Sequence, residues 1–245
     1  MKIFLLIFYL ISNQDLDSIF QRSNEFYTNG EYNLAIEGYK EILKYGFESS
    51  ELYFNLANSY YKLNNIPETN FYFEKAKSKS PNDEDILVNL SYAQNLRIDK
   101  IEKLPVSQIQ SLKIRSLNLF SEKGWSILFI VFIWLSSITF GCFILIKKSN
   151  LKRLFFTSSI VLLLMSGFLI VVNMEKKELL NEEFAIIFDK EIEVWSEPNK
   201  ISELKFLLHE GTKVKKIDTI QDWVNIQLEN GTLGWIQSSS IRILD

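Results

Sequence analysis

Two long apolar stretches, separated by a short cationic loop, constrain this chain more than any other feature. Each is long enough to cross a bilayer as a helix, because about 20 residues at 1.5 Å rise span a hydrocarbon core roughly 30 Å thick. We therefore predict transmembrane helices at 125–146 and 154–174, joined by the loop 147–153. The loop contains four cations and no acid, and cationic loops favour the cytoplasmic side of a membrane. The predicted topology determinants are Lys147, Lys148, Lys152 and Arg153.

This hairpin is expected to be an anchor. The apolar runs 125–146 and 154–172 contain no Asp, Glu, Lys, Arg or His. Proton relays and ion pathways need ionisable groups facing the interior of a helix bundle, which argues against a transporter. Both soluble parts must then lie on the side of the membrane opposite to the loop.

The amino terminus resembles a secretory signal. Lys2 precedes a nine-residue apolar run, Ile3 to Ile11, which is too short to span a bilayer but suits a signal-peptide core. We predict a signal peptide at 1–15. A small-x-small cleavage site is missing, so an uncleaved anchor or a first helix of the soluble part stays open as an alternative.

Composition limits the function classes. At 245 residues, the chain has room for two small soluble domains beside the hairpin. Segment 16–103 has ten Lys and Arg against fourteen Asp and Glu, and 184–245 has seven against ten. Neither has the basic excess that nucleic-acid binding requires, so no nucleic-acid partner is expected. Cys142 lies inside the first span and is interpreted as a packing residue.

The segment 16–103 is repetitive, with a period of 34 residues when residue 16 is laid over residue 50. This is the length of two antiparallel helices that form one stackable unit. A third copy starts at Glu84 without a second helix, and we interpret it as a capping helix that ends near Lys100. The second copy has large, small, aromatic and proline residues in phase: Tyr53, Leu56, Ala57, Tyr60, Phe73, Ala76 and Pro81. The first copy matches more loosely, with Ile19, Ser23, Phe26, Gly30, Ala35 and Tyr39.

This pattern resembles the tetratricopeptide repeat, which implies an all-α tetratricopeptide helical solenoid with a concave groove lined by the first helix of each pair. Aromatic and amide side chains there suit an extended or helical peptide. The alternative is that they only pack against the next helix. A clamp for a partner's terminal carboxylate is not expected, because Phe20, Asp85 and Asn89 occupy the positions of its cations. The candidate groove residues are Phe20, Asn24, Tyr27, Phe54, Asn55, Asn58, Tyr61, Val88 and Tyr92.

Two linkers are predicted beside the spans. Segment 104–124 has roughly helical apolar spacing with interspersed cations, and is interpreted either as a tether or as an interfacial segment. Segment 175–183 is interpreted as a plain linker.

The carboxy-terminal segment 184–245 changes to short β-rich runs separated by turn signals, among them Glu210-Gly211 and Asn230-Gly231. The predicted strands are Ala185 to Phe188, Ile192 to Trp195, Lys213 to Ile217, Trp223 to Leu228 and Leu233 to Ile236.

This segment resembles a bacterial SH3 domain, through Glu193-Val194-Trp195 and the closing Gly231-Thr232-Leu233-Gly234-Trp235-Ile236. The resemblance implies an all-β SH3-like small barrel in which Trp195, Trp223 and Trp235 line a surface that binds peptidoglycan or peptides. For Trp223 and Trp235 we favour the alternative that they are core residues. His209 is expected to be a solvated loop residue.

No enzyme signature is present in the sequence. A nucleophile needs a base and an orienting group, but the one histidine is remote from any serine motif and the one cysteine lies in a span. No catalytic residue, metal ligand or cofactor is therefore predicted.

The order of these parts, signal, short tetratricopeptide domain, hairpin and SH3-like barrel, resembles the BatE family of the Bacteroides aerotolerance (Bat) group. The linker from Asp99 to Pro105 is similar as well. The resemblance implies a cytoplasmic-membrane protein with both soluble domains in the periplasm and a role in oxygen or envelope-stress tolerance. The implied partners are von Willebrand factor A membrane proteins of that group, besides the lipid bilayer. We expect a protein-protein interaction scaffold; the alternative is a peptidoglycan-binding or envelope-sensing module.

Overall fold

The computed structural model describes residues 16–102, 104–105 and 107–244, so the predicted signal peptide at 1–15 lies outside the described residues. The chain divides into two compact units. The first combines the segment up to Leu104 with the segment from Glu183 onward, and the second runs from Pro105 to Glu182. The two soluble parts predicted from the sequence thus form one unit.

Five helices make the helical part of the first unit, and they follow the predicted 34-residue period. They are α1 (16–28), α2 (Tyr32–Lys44), α3 (Ser50–Lys62), α4 (Ile66–Lys79) and α5 (Glu84–Asn95). The predicted capping helix therefore ends earlier than Lys100.

Local signals define the helix starts. The side chains of Ser49, Asn65 and Asp83 accept hydrogen bonds from backbone N–H groups in the first turns of α3, α4 and α5. These contacts satisfy donors that have no partner within the helix. The turn between α1 and α2 uses Gly30 with φ of 83°, a conformation that glycine adopts without strain.

The small residues of the repeat pattern are buried between the helices. Ala35, Ala57 and Ala76 are fully buried, and the large side chains of Tyr39, Tyr53 and Phe73 fill the space around them. Small residues let the helix backbones approach while the aromatic rings supply the apolar contact area.

Seven antiparallel strands follow the membrane segment. They are β1 (Glu183–Ile187), β2 (Glu191–Trp195), β3 (Leu204–His209), β4 (Lys213–Ile220), β5 (Trp223–Gln227), β6 (Leu233–Gln237) and β7 (Ile241–Leu244). Their order in the sheet is β3-β2-β6-β5-β4-β1-β7. Strands β3 and β7 were not predicted. Both are edge strands, and neither alternates cleanly between buried and exposed residues.

Strand β1 contributes to two hydrophobic cores. Ala185 and Ile187 belong to the core of the sheet, whereas Ile186, between them, belongs to the core of the helices. Successive side chains of a strand point to opposite faces, so one short strand joins the two cores. The helical part and the sheet are therefore packed together and not only tethered.

The second unit contains α6 (Gln108–Leu117), α7 (Glu122–Leu145) and α8 (Ser149–Leu180). Helices α7 and α8 are both long and apolar enough to cross a membrane, and their most apolar windows are only 6% and 11% buried. Apolar side chains that are exposed along two long helices are more stable in contact with lipid than in contact with water. The hydroxyl of Ser136 donates a hydrogen bond of 2.9 Å to the carbonyl of Ser159, which links the two helices.

Three predicted boundaries in this unit are corrected. The loop is shorter than 147–153, because only residues 146–148 are non-helical and Lys152 and Arg153 lie in the first turns of α8. Segment 104–124 contains α6, so it is not a plain tether. Helix α8 continues to Leu180, so most of the linker predicted at 175–183 is helical.

Ile186→Ala tests the shared packing of β1. Ile186 is completely buried, so we expect the truncation to lower the free energy of unfolding by about 2 to 5 kcal/mol. Thermal unfolding of the full chain in detergent, followed by circular dichroism and by tryptophan fluorescence, measures the effect.

Ile201→Ala is the matched control, since Ile201 is 96% exposed and its truncation is expected to change stability by less than about 0.5 kcal/mol. Equal stability of the two variants would contradict the described packing of Ile186.

Candidate functional site

The face predicted to form a groove is made by equivalent positions of α1, α3 and α5. Tyr61, Val88 and Tyr92 on this face are exposed large side chains, although residues of their type bury well. A contact surface made of exposed aromatic side chains is typical of protein recognition.

Three of the predicted groove aromatics combine groove and packing roles. The ring centroid of Phe20 lies 5.8 Å from that of Tyr39, and Phe54 has the same distance from Phe73. Tyr27 similarly contacts Tyr32. All three groove aromatics are partly exposed, so one edge of each ring packs inward and the other remains accessible.

The amides of Asn24 and Asn55 connect neighbouring helices. Asn24 Oδ1 accepts hydrogen bonds from the Tyr39 hydroxyl at 2.6 Å and from Asn55 Nδ2 at 3.1 Å. Burial, followed by the charges of Tyr27 and Glu51, raises the pKa of Tyr39, so its hydroxyl stays protonated and keeps donating. These two amides therefore position the helices. Asn58 is partly exposed on the same face.

Acidic side chains lie beside the candidate groove residues. One shallow pocket is lined by Asp17, Phe20 and Glu51 together with apolar residues of α2 and α3. A second is lined by Glu51, Phe54 and Asp85. Glu51 belongs to both pockets, which makes them neighbours along the face.

The three candidate tryptophans of the sheet, Trp195, Trp223 and Trp235, are all partly exposed, and none belongs to the buried core of the sheet. The core interpretation of Trp223 and Trp235 is thus wrong. Their strand neighbours Val224 and Ile236 point inward instead. Trp195 and Trp235 are direct partners across β2 and β6, so their side chains share the outer face.

An arginine joins the sheet to helix α4. The guanidinium of Arg242 on β7 donates two hydrogen bonds of 2.9 Å to the carboxylate of Glu68. It also lies 3.9 Å from the ring centroid of Phe188 and 4.6 Å from that of Phe71. A planar guanidinium satisfies a carboxylate with two bonds while its faces contact aromatic rings, and lysine cannot replace it in this role.

Two further contacts join the sheet to helix α4. Lys213 Nζ lies 2.7 Å from Glu74 Oε2, and Glu74 is almost completely buried. The carbonyl of Gly211 accepts a hydrogen bond from Asn70 at 3.3 Å. A Cβ at Gly211 would lie 2.6 Å from the Ile66 side chain, so only glycine permits this approach of the turn to α4.

The linker after α5 contacts the sheet through Asp99. Its carboxylate accepts hydrogen bonds of 2.7 Å from the backbone N–H of His209 and from the Thr212 hydroxyl, and it lies 2.8 Å from His209 Nδ1. The interpretation of His209 as a solvated loop residue is wrong, since it ends β3 and is partly buried. The hydrogen bond with Asp99 raises the pKa of His209, while partial burial opposes the shift.

Two sequence patterns are signals for the packing of the sheet against the helices. Residues 185–188 are apolar without alternation, which is typical of a strand buried on both faces. The consecutive aromatic residues 71–73 on α4 cannot all lie on one face of a helix, because neighbouring positions are about 100° apart. Nothing in the sequence pairs Glu68 with Arg242 across 174 residues.

The comparisons identify no family: no protein-family model and no curated protein matches the chain. In the part of the chain that the structure describes, no group of three or more His, Cys, Asp or Glu side chains could hold a metal ion. The candidate interaction surfaces are the predicted groove face on α1, α3 and α5 and the outer tryptophan face of the sheet.

The Glu68 and Arg242 contact is testable by a double-mutant cycle with Glu68→Ala, Arg242→Ala and the double variant. We expect a coupling free energy of about 1 to 2 kcal/mol, because the pair is bidentate and partly shielded from water. Chemical unfolding of the full chain in detergent provides the four stabilities. Arg242→Lys is expected to recover little of the loss, and full recovery would contradict the bidentate and aromatic contacts.

The His209 contact predicts a pH dependence. A folded-state pKa above the ordinary value near 6.5 means that protonation stabilises the fold fully below about pH 6.5, and that this contribution is lost as pH rises through the folded-state pKa. NMR titration of the one imidazole of an untagged chain measures that pKa directly. We expect Asp99→Asn to lower it toward 6.5, and an unchanged value would contradict the contact.

Proposed function

We propose that this chain is a membrane-anchored interaction scaffold whose helical part is a short tetratricopeptide solenoid that holds a partner segment in its concave groove. The observation that supports this most directly is the exposure of three large apolar or aromatic side chains, Tyr61, Val88 and Tyr92. The contacts with the sheet come from α4 and from the linker after α5, so they leave this face accessible.

We further propose that α7 and α8 span the cytoplasmic membrane and that both soluble parts lie in the periplasm. Two spans return the chain to the side from which it left, and the shared core around Ile186 requires both parts of the first unit to be on one side. The cations at the α7 to α8 turn favour the cytoplasm for the turn itself. The residues Lys147, Lys148, Lys152 and Arg153 keep the role predicted for them.

We propose that this scaffold acts together with proteins of the Bat aerotolerance group. The partners would be its von Willebrand factor A membrane proteins, gathered by the groove during oxygen or envelope stress. This assignment depends on the resemblance of the sequence pattern to the BatE family, and the anchoring hairpin is compatible with it.

A peptidoglycan-binding role of the sheet, interpreted as an SH3-like barrel, is the second proposal. The paired Trp195 and Trp235 on the outer face favour it, because aromatic faces are suitable contacts for sugar rings and peptides. A pocket beside Trp195 is lined by Asp189, Glu191 and Glu193, which would offer acceptors to hydroxyl and amine groups.

Affinity recovery of the full-length protein from its native membrane, followed by mass spectrometry, tests the scaffold. We expect von Willebrand factor A membrane proteins to be enriched, and Asn58→Ala with Tyr61→Ala to reduce their recovery about tenfold or more through loss of a hot-spot contact. Melting of the variant must match the parent protein, since Asn58 and Tyr61 are not in the buried core.

The double variant Trp195→Ala with Trp235→Ala tests the proposed peptidoglycan-binding role of the sheet. Unchanged partner recovery with the groove variant would contradict the scaffold. Wall fragments recovered with the parent protein and lost with the tryptophan variant would favour the second proposal. The full chain is required, because an isolated segment 184–245 would expose Ile186.

A further inference from the structure

The acidic residues of the concave face form a row with the same spacing as the repeat. Asp17, Glu51 and Asp85 are separated by 34 residues each and occupy equivalent positions near the starts of α1, α3 and α5. All three are exposed. A carboxylate is thus present at the same end of each helix that lines the groove.

Each carboxylate lies one turn before an apolar groove residue. Phe20, Phe54 and Val88 follow the three acids by three residues, and positions three apart share a helix face. Two pockets lie beside these residues. The first contains Asp17, Phe20 and Glu51, and the second contains Glu51, Phe54 and Asp85. Each pocket therefore combines a phenylalanine ring with carboxylates.

Among the described residues, no ion pair compensates these carboxylates. In the described residues, the ion pairs of the helical part use other acids, such as Glu48 with Lys79 at 2.9 Å, and Asp17, Glu51 and Asp85 have no Lys or Arg partner. Acids in a first helical turn also stabilise the helix dipole, which explains their position but not the apolar pockets beside them.

From this charge complementarity we infer that the groove binds a cationic peptide segment in which Lys or Arg residues alternate with apolar residues. The apolar side chains would enter the pockets beside Phe20 and Phe54, and the cations would face the acid row. Opposite potentials steer the encounter and reject acidic segments. This inference rests on the proposed scaffold function and adds the chemical class of its partner.

Fluorescence anisotropy tests the inference with the full chain in nanodiscs of zwitterionic lipid. The probe is a short labelled peptide of repeated Lys-Leu-Ser triplets, and its matched peptides replace every Lys by Glu or every Leu by Ser. We expect binding of the first peptide alone, weakened by added salt. The Glu peptide binding equally well would overturn the inference.

Glu51→Gln with Asp85→Asn keeps the size of both side chains and removes their charges. We expect about a tenfold weaker affinity, because the two substitutions remove two exposed charge contacts, each of which is individually weak. Glu84→Gln is the control: Glu84 is also an exposed acid in the first turn of α5 but lines neither pocket. Equal effects of the two variants would overturn the inference.

The experiments distinguish an error in the scaffold proposal from an error in the inference of a cationic peptide. If the cellular partner is lost with Tyr61→Ala but retained with Glu51→Gln and Asp85→Asn, the scaffold stands and the cationic class is wrong. If neither variant changes partner recovery while the Lys-Leu-Ser peptide still binds in a charge-dependent manner, the groove binds cationic segments but the scaffold assignment is wrong.

Discussion

Helix α4 is buried on more than one side, and the arrangement of the first unit depends on this. One side of the helix packs against the other helices through Phe73 and Ala76. Another side presents Glu68, Asn70 and Glu74 to the sheet, where they meet Arg242, Gly211 and Lys213. Glu68 and Glu74 are each paired with a cation of the sheet, so these two contacts favour one docking geometry, whereas Asn70 Oδ1 is buried without a hydrogen-bond partner among the described residues.

Docking of the sheet also completes a short helical stack. Repeats of this kind cannot bury their own apolar faces, and the third copy here has one helix where the others have two. Ile186 and Phe188 of the sheet add apolar area to the helical core, and Phe188 contacts Phe71 at 5.9 Å between ring centroids. The sheet thereby supplies packing that a further repeat would supply in a longer array.

Helices α7 and α8 lie in the chain between two segments that pack together. The proposed pair of crossings is compatible with this connectivity, because two crossings return the chain to the side on which Ile186 is buried in the helical core. The predicted groove face and the tryptophan face then belong to the same compact unit. A partner in the groove and a ligand on the sheet would be held at a defined separation.

The periodic parts of the fold could be predicted from sequence, because their signals are local. The 34-residue period, the small residues Ala57 and Ala76 and the apolar spans each reflect contacts within a helix pair or with lipid. The docking of the sheet could not be predicted, because it depends on contacts between residues that are distant in the sequence. Asp99 and His209, for example, are separated by helices α6 to α8. For the same reason the edge strands β3 and β7, which have weak alternation, were missed.

The docked arrangement of helices and sheet is tested most directly by a distance measurement between them in the intact protein. Spin labels at Lys44 and Ile201, both exposed, with Cys142 replaced by Ala, would report this distance by pulsed electron paramagnetic resonance in nanodiscs. The account predicts one narrow distance distribution that broadens when Arg242 and Glu68 are both replaced by Ala. A broad distribution in the otherwise unchanged protein would contradict it, because it would mean that the sheet is only tethered to the helices.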